Sequence, residues 1–508
     1  MNGDPSSDPS RGVDGGLGVD TASDLADLDH TPEQMAAMGR AVLDMVVAHQ
    51  KEVMHAPCRG GVQADDVCRA IRQPLPPEQG REIEEVLRPL FDDWVKRSFT
   101  TPGPGYMAFV PGGGLFSSVL ASLVGEGTNR FTGIFAAAPA LVQLEGDVLD
   151  WLAGWMQYPA EARGLLTTGG SMANFSAIVV ARETLLGQQL RDGVLYTSTQ
   201  VHHCVTKSAR MAGILADRVR MVPVDAHYRM RMDALAEAIA ADRAAGLKPF
   251  LVVSSAGTTN TGAVDPLPAI NTLCHEQGLW HHCDGAYGAM FHMVPELRGV
   301  LDGLSQTDSL TLDPHKGMFL PYGTGALLVR DGARLKAAHG ASAGYLPDAA
   351  DEEFYDPAQY GPELSRDYRG LKVWLPLQVL GAARFRAAVH EKYLLAQECA
   401  EAVSRIPGVV MDTWPELSLF SFHLTRPRAG AGAEAPAAEP ADLAEENRLT
   451  RALMEGVIRR GRVMLSGCEV DGRFLGRVCI LCFRSRRAQM EACVEDLASA
   501  AAELLAGA

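Results

Sequence analysis

The stretch SLTLDPHKGMF, Ser309 to Phe319, sets one lysine, Lys316, at the end of an apolar run. An ammonium group is costly to desolvate, so a lysine placed there needs a partner or a task. One such task is attack on a carbonyl, in which an amine activated by desolvation or by a neighbouring cation forms a Schiff base. Three other stretches carry groups that chemistry could use. In TTGGSMANFSAI, Gly169 and Gly170 allow close backbone approach, Ser171 can cap the helix that follows, and free amides at a helix N-terminus bind phosphate. In LWHHCDGAYGA an apolar pair leads to Asp284, a strand-end carboxylate that could pair with a protonated ring nitrogen. In QVHHCVTKSAR, His202 or His203 could stack on an aromatic ring.

Each stretch alone has an ordinary reading: a glycine turn, a helix cap, a surface lysine, a structural histidine. In order along the chain they match the parts that hold pyridoxal phosphate, namely a phosphate anchor, a pyridinium partner and a Schiff-base lysine. No metal site is expected. His281 and His282 are adjacent and would face opposite sides of a strand, and so would Cys479 and Cys482 in RVCILCF.

These groups need a frame. From about Thr101, short β-rich runs (GVLYTSTQ, RVRMVPVD, PFLVVSSAG, LWHHCDGAY, DSLTLDPHK, GALLVRD) alternate with amphipathic stretches. That texture predicts an α/β domain with a mostly parallel sheet, whose ligands bind beyond the carboxyl ends of the strands. Upstream, Thr31 and Gln34 form a capping-box pattern with Pro32 in the first turn, followed by apolar residues at helical spacing. A second helix is expected through PPEQGREIEEVLRPLFDDWVKRSF. The expected organisation is a disordered tail at 1–30, a helical segment at 31–100, a large domain at 101–375 and a smaller C-terminal α+β domain at 376–508. A mobile Pro/Ala/Gly insert is expected at 426–442.

The composition narrows the function classes. The 508 residues are 47% hydrophobic and 21% charged, an ordinary globular profile. No apolar run is long enough to span a bilayer, and the N-terminus lacks the pattern of a secretory signal. A net charge of −16 argues against a nucleic-acid partner and favours a small-molecule substrate. The ten cysteines show no disulfide framework, which suggests a reducing cytoplasm.

The motifs GYMAFVPGGG, TTGGSMAN, QVHHCV, AGTTNTGAVDP, WHHCDGAYG, DPHK and SRDYRGLKVW, in this order, resemble the pyridoxal-phosphate-dependent group II amino-acid decarboxylases. The likeness runs from about Thr31 to the C-terminus. It implies fold type I of the PLP-dependent transferases, with a seven-stranded sheet in the large domain, and a homodimer whose active sites are shared between subunits. It implies that Lys316 bonds the cofactor, that His315, Gly170 and Ser171 hold its phosphate, and that Asp284 pairs with the ring nitrogen. Ala286 would lie under the ring, His202 would stack on it, and Thr258 would contact it. Tyr345, in the lid-like loop GASAGYLPDAADEEFYDPAQYGPEL, would be a catalytic proton donor, and Arg366 would be structural. Tyr106, Phe109, Phe131 and Phe135 would line the substrate pocket, with Phe131 and Phe135 reaching the neighbouring subunit's site. The implied reaction is decarboxylation of an aromatic or large apolar L-amino acid to the amine. The alternatives are another reaction of the same cofactor (carbon–carbon lysis or oxidative deamination to an aldehyde) and a non-catalytic homologue. The sequence departs from the family at Gly317, Gly285 and Asp313, and in the glycines after Val110. These changes leave the cofactor reading intact and bear on the substrate.

Overall fold

A computed structural model describes residues 28–60, 65–187, 189–340, 353–426 and 440–506. Its centre is a seven-stranded sheet of β1 (Arg163–Thr167), β2 (Gly193–Ser198), β3 (Val219–Val222), β4 (Lys248–Ser255), β5 (Trp280–Asp284), β6 (Ser309–Leu312) and β7 (Gly325–Val329). The spatial order is β1-β7-β6-β5-β4-β2-β3. Strand β7 runs antiparallel to both its neighbours and the remaining pairs are parallel. Every residue of β2, β5, β6 and β7 is buried. Burial on both faces suits the apolar run GALLV of β7, while the buried polar side chains of β5 and β6 find hydrogen-bond partners inside the fold, as His282 does with Ser309. On one face Ala173, Ala177 and Ile178 of the helix Gly170–Leu185 pack against Leu251, Val253 and Leu327. On the other, Met290, Phe291 and Leu301 pack against Leu310 and Leu328. Each fully buried leucine, isoleucine, valine, methionine or phenylalanine among them stabilises the fold by about 1.5–3 kcal/mol.

A second sheet, entirely antiparallel, has the order β10-β11-β9-β8, with β8 Val409–Thr413, β9 Leu419–Leu424, β10 Ser466–Val470 and β11 Arg473–Cys479. Asp471 and Gly472 join β10 to β11, with φ of 49° and 80°, the left-handed pair that a two-residue hairpin turn demands. The helices Ala382–Val403, Pro440–Arg460 and Arg487–Ala506 pack over this sheet in one apolar cluster. The helix Pro440–Arg460 begins inside the expected insert, whose residues 427–439 lie outside the described ones, as does most of the expected tail.

Two local expectations need correction. Strand β11 ends at Cys479, so Cys482 follows in coil; both thiols are buried. The segment after Glu82 is not one helix. Pro89 lacks the N–H that would continue the ladder, and Ile83–Pro89 gives way to a wide π turn at Leu90–Trp94 and a 3-10 turn at Val95–Arg97. After SRDYRG the helices Arg369–Leu380 and Ala382–Val403 part at Gly381, φ 76°. The N-terminal helix Pro32–Val53 does start as its capping box predicts. Thr31 N–H donates to Gln34 Oε1 at 2.9 Å, and Gln34 N–H donates to Thr31 Oγ1 at 3.3 Å. Among the described residues no helix is long and apolar enough to cross a membrane.

Candidate active site

The four chemical stretches meet where the carboxyl ends of β5 and β6 face the helix Gly170–Leu185, around a cavity of about 320 Å³. Lys316, Asp284, His202 and His315 line it. So do Gly170, Ser171, Thr258 and Ala286. Residues from five separate segments are thus brought to one site. The glycine pair makes the approach feasible. Gly169 sits at φ 149° as the N-cap, and a Cβ on Gly170 would lie 3.0 Å from both Ala286 Cβ and Asp313 Oδ2. Gly169 therefore takes the capping position expected of Ser171, which is the second residue of the helix.

Lys316 follows β6 in a single helical turn, and its Nζ lies 2.9 Å from Asp313 Oδ2. Burial alone would push the ammonium pKa down; the Asp313 carboxylate, with Asp284 beyond it, outweighs burial and raises it. Asp313 is 1% exposed, and its other oxygen, Oδ1, has no hydrogen-bond partner among the described residues. His315 Nδ1 donates to Thr324 O at 2.8 Å, and its Nε2 is 3.7 Å from Asp313 Oδ2. Burial lowers the His315 pKa. His202 caps the helix His203–Met211, its Nδ1 accepting Cys204 N–H at 3.3 Å. Burial lowers its pKa too, against the opposing pull of Asp284.

Asp284, the last residue of β5, is held at both oxygens. Oδ1 accepts Ala286 N–H at 3.1 Å and Oδ2 accepts the Asn174 side-chain amide at 2.9 Å. Asn174 lies one helical turn after Gly170 and was missed from sequence. Its spacing of four residues from that glycine, which puts both on one helix face, is the signal that could have found it. Asn174 Oδ1 in turn accepts from His282 Nε2 at 2.7 Å and from Thr311 Oγ1 at 2.9 Å. His281 turns the other way, to Ser254 Oγ at 2.7 Å and Asn271 Oδ1 at 2.6 Å, as strand alternation requires.

The expected aromatic pocket is not assembled within one chain. Tyr106, Phe109, Phe131 and Phe135 do not line the cavity. Tyr106 is buried against Cys58, Ala108 and Met464. Phe109 and Phe131 are 53% and 42% exposed, and Phe135 stacks on Phe354 with ring centroids 4.9 Å apart. Tyr322, absent from the sequence expectation, does line the cavity, 5.7 Å from the His315 ring. Arg366 is distant from the chemistry and pairs with the fully buried Glu145. Tyr345 lies outside the described residues.

The site has an amine beside a carboxylate, a second carboxylate held at a strand end, a neutral imidazole, and a helix N-terminus that only glycine lets come close. This donor set fits pyridoxal phosphate: Lys316 to bond it, Asp284 for its ring nitrogen, and the Gly170 turn for its phosphate.

Comparison with known proteins agrees. The family model for the pyridoxal-dependent decarboxylase conserved domain matches residues 73–425. Aromatic-L-amino-acid decarboxylase of Bacillus atrophaeus is 30% identical over 468 residues, covering 91% of this chain and 94% of that protein. Phenylacetaldehyde synthase of Arabidopsis thaliana is 26% identical, covering 88% and 92%. The crystal structure of Oryza sativa TDC with PLP and tryptamine matches with a TM-score of 0.86 at 25% identity, covering 94% of this chain and 99% of that one. The chain belongs to the pyridoxal-dependent decarboxylase family and is an amino-acid carboxy-lyase that uses pyridoxal 5′-phosphate.

Proposed function

We propose that the substrate is an aromatic or large apolar L-amino acid, released as its primary amine and carbon dioxide. The observation that carries the reading is the placement of Lys316, Asp284 and His202 around one cavity. Bound there, the cofactor supplies an electron sink for the pair freed when the bond from Cα to the carboxylate breaks. Lys316 Nζ would bond the cofactor. Asp284 would accept a hydrogen bond from its protonated ring nitrogen and keep that proton in place. His202 would pack on the ring, for which its lowered pKa suits a neutral imidazole. Gly170, Ser171 and His315 would hold the phosphate, and Thr258 and Ala286 would border the ring. Tyr345 delivers the proton to Cα.

Aromatic preference draws support from the relatives named for aromatic substrates and from Tyr106, Phe109, Phe131 and Phe135. The exposure of Phe131, Leu123 (67%) and Leu43 (43%) in a single chain supports a homodimer in which Phe131 and Phe135 reach the partner's pocket. The helix Pro32–Val53 buries only Val53 and would be covered in the same way. A cytoplasmic location fits the ten free thiols. The aldehyde reading has one specific support, the similarity to a phenylacetaldehyde synthase. Assaying the holoenzyme with a panel of amino acids for carbon dioxide, amine, aldehyde and ammonia decides between them. Amine and carbon dioxide in equal amounts from aromatic substrates is the expected result. Aldehyde with ammonia, or turnover confined to acidic amino acids, would overturn it.

A further inference from the structure

Behind Asp284 lies a chain of buried polar groups that the reaction as described does not use. Trp280 Nε1 to Ser309 Oγ is 2.8 Å, Ser309 Oγ to His282 Nδ1 is 2.8 Å, His282 Nε2 to Asn174 Oδ1 is 2.7 Å, and Asn174 Nδ2 to Asp284 Oδ2 is 2.9 Å. Ser309, His282 and Asn174 are fully buried and Trp280 nearly so. The pairing of β5 with β6 builds the chain, because it sets Ser309 opposite His282 and Thr311 opposite Asp284.

Proton accounting gives this chain one direction. Asn174 must turn its NH₂ to Asp284, since the reverse orientation would set an amide oxygen against a carboxylate. Its Oδ1 then needs donors, which are Thr311 Oγ–H and His282 Nε2–H. With Nε2 protonated, the Nδ1 of a neutral His282 is an acceptor, and the Ser309 hydroxyl supplies its hydrogen. Burial holds the His282 pKa down to about 4, so the ring is neutral at working pH. Ser309 Oγ in turn accepts from the indole of Trp280, a group that can only donate. Every hydrogen therefore points along the same path toward Asp284.

We infer that Asn174 is a positioning residue: locked by the Trp280–Ser309–His282 relay, its amide fixes Asp284 as an ionised acceptor with its remaining lone pairs turned to the cofactor's ring nitrogen. The inference rests on the role given to Asp284 above. The other polar groups set around Asp284 are His202 and Cys204 from the helix His203–Met211 and its cap, Lys316 and Asp313 from the turn after β6, and His282 on its own strand. Of these, Lys316 and Asp313 carry opposite charges and pair with each other, and Asn174 is the neutral side-chain donor on Asp284, beside the Ala286 backbone N–H on its other oxygen.

The test has two readouts besides turnover. In the holoenzyme with ¹⁵N-labelled histidine, His282 shows the Nε2–H tautomer from about pH 6 to about pH 9. With the cofactor labelled at its ring nitrogen, the wild-type enzyme keeps that nitrogen protonated over the same range. Asn174→Ala lowers its deprotonation midpoint by about one pH unit or more, a tenfold weaker hold on the proton, and His282→Leu does the same. His282→Gln, which can still donate to Asn174 Oδ1, restores the wild-type midpoint. An Nδ1–H tautomer at His282, or an unchanged midpoint in a folded Asn174→Ala enzyme, would overturn the relay. Should that variant fail to fold, the tautomer in the wild-type enzyme decides alone. A deprotonated ring nitrogen in the wild-type enzyme alongside the Nε2–H tautomer would reject the role of Asp284 and leave the relay standing.

Discussion

Two cavities flank the central sheet and differ in a way that volume does not reveal. The one at the carboxyl ends of β5 and β6 is about 320 Å³; the other, beside Trp280 and Asp308 at the opposite ends of the same strands, is about 710 Å³. In the larger cavity Arg334, Asp308 and Arg330 each have a partner, a carboxylate for the first and backbone groups for the other two. Arg334 pairs with Asp331 at 3.0 Å, Asp308 accepts His281 N–H at 2.7 Å, and Arg330 donates to Ser305 O. In the smaller cavity the half-buried Lys316 shares the buried carboxylate of Asp313, and that carboxylate keeps a second oxygen with no partner among the described residues. Spare hydrogen-bonding capacity and desolvated charge mark the reactive end, and space alone does not.

Four experiments sharpen or break this contrast, from the largest effect down. Lys316→Ala removes the amine proposed to bond the cofactor, so the visible absorbance of the bound cofactor and the release of carbon dioxide should both fall below detection; persistence of either shifts the chemistry elsewhere. Asp284→Asn keeps the shape of the side chain but not its charge. Turnover should drop by about 10²-fold while the protein remains folded, as checked by steady-state rates beside circular dichroism.

The third experiment concerns His281, which is 1% exposed and borders the larger cavity. Burial, with a lesser push from His282, lowers its pKa to about 3. Below its ordinary value near 6.5 the unfolded chain takes up a proton that the folded chain refuses. Stability is therefore lost as pH falls from 6.5 toward 3. Asp265, raised by burial to about 6, works in the opposite sense between pH 6 and its ordinary value of 3.8. The comparison must then be made between variants: His281→Gln should flatten the pH dependence of the unfolding free energy by about 1.4 kcal/mol per pH unit on the acid side. Parallel denaturation curves for the two proteins at every pH would contradict the burial argument. The smallest effect belongs to Arg334→Ala in the large cavity, where turnover should stay within about twofold of wild type and stability within about 0.5 kcal/mol. A large loss of activity there would erase the distinction between the two ends.

How far the sequence carried the reading follows the same divide. Lys316, Asp284, Gly170 and His202 were legible because each sits at the junction of a strand and the next element, where local pattern fixes position. Asn174, Ser309 and Thr311 were not, because their roles arise from strand register and from a helix crossing the strand ends, neither of which is local. The alternation of strand and helix foretold a mostly parallel sheet, and the family resemblance implied its seven strands. The failures were also physical. Pro89 breaks what periodicity read as one helix, and a glycine rather than Ser171 caps the helix at the cavity. The aromatic side chains expected at the pocket stand apart from the cavity in the single chain, because Tyr106 packs against Cys58, Ala108 and Met464 and Phe135 stacks on Phe354.

The most direct test of the account is to fix the bound cofactor to the holoenzyme with borohydride and map the modified peptide by mass spectrometry. The account predicts one phosphopyridoxyl group, on Lys316. Label on another lysine, or a protein left unmodified after incubation with the cofactor, would contradict it.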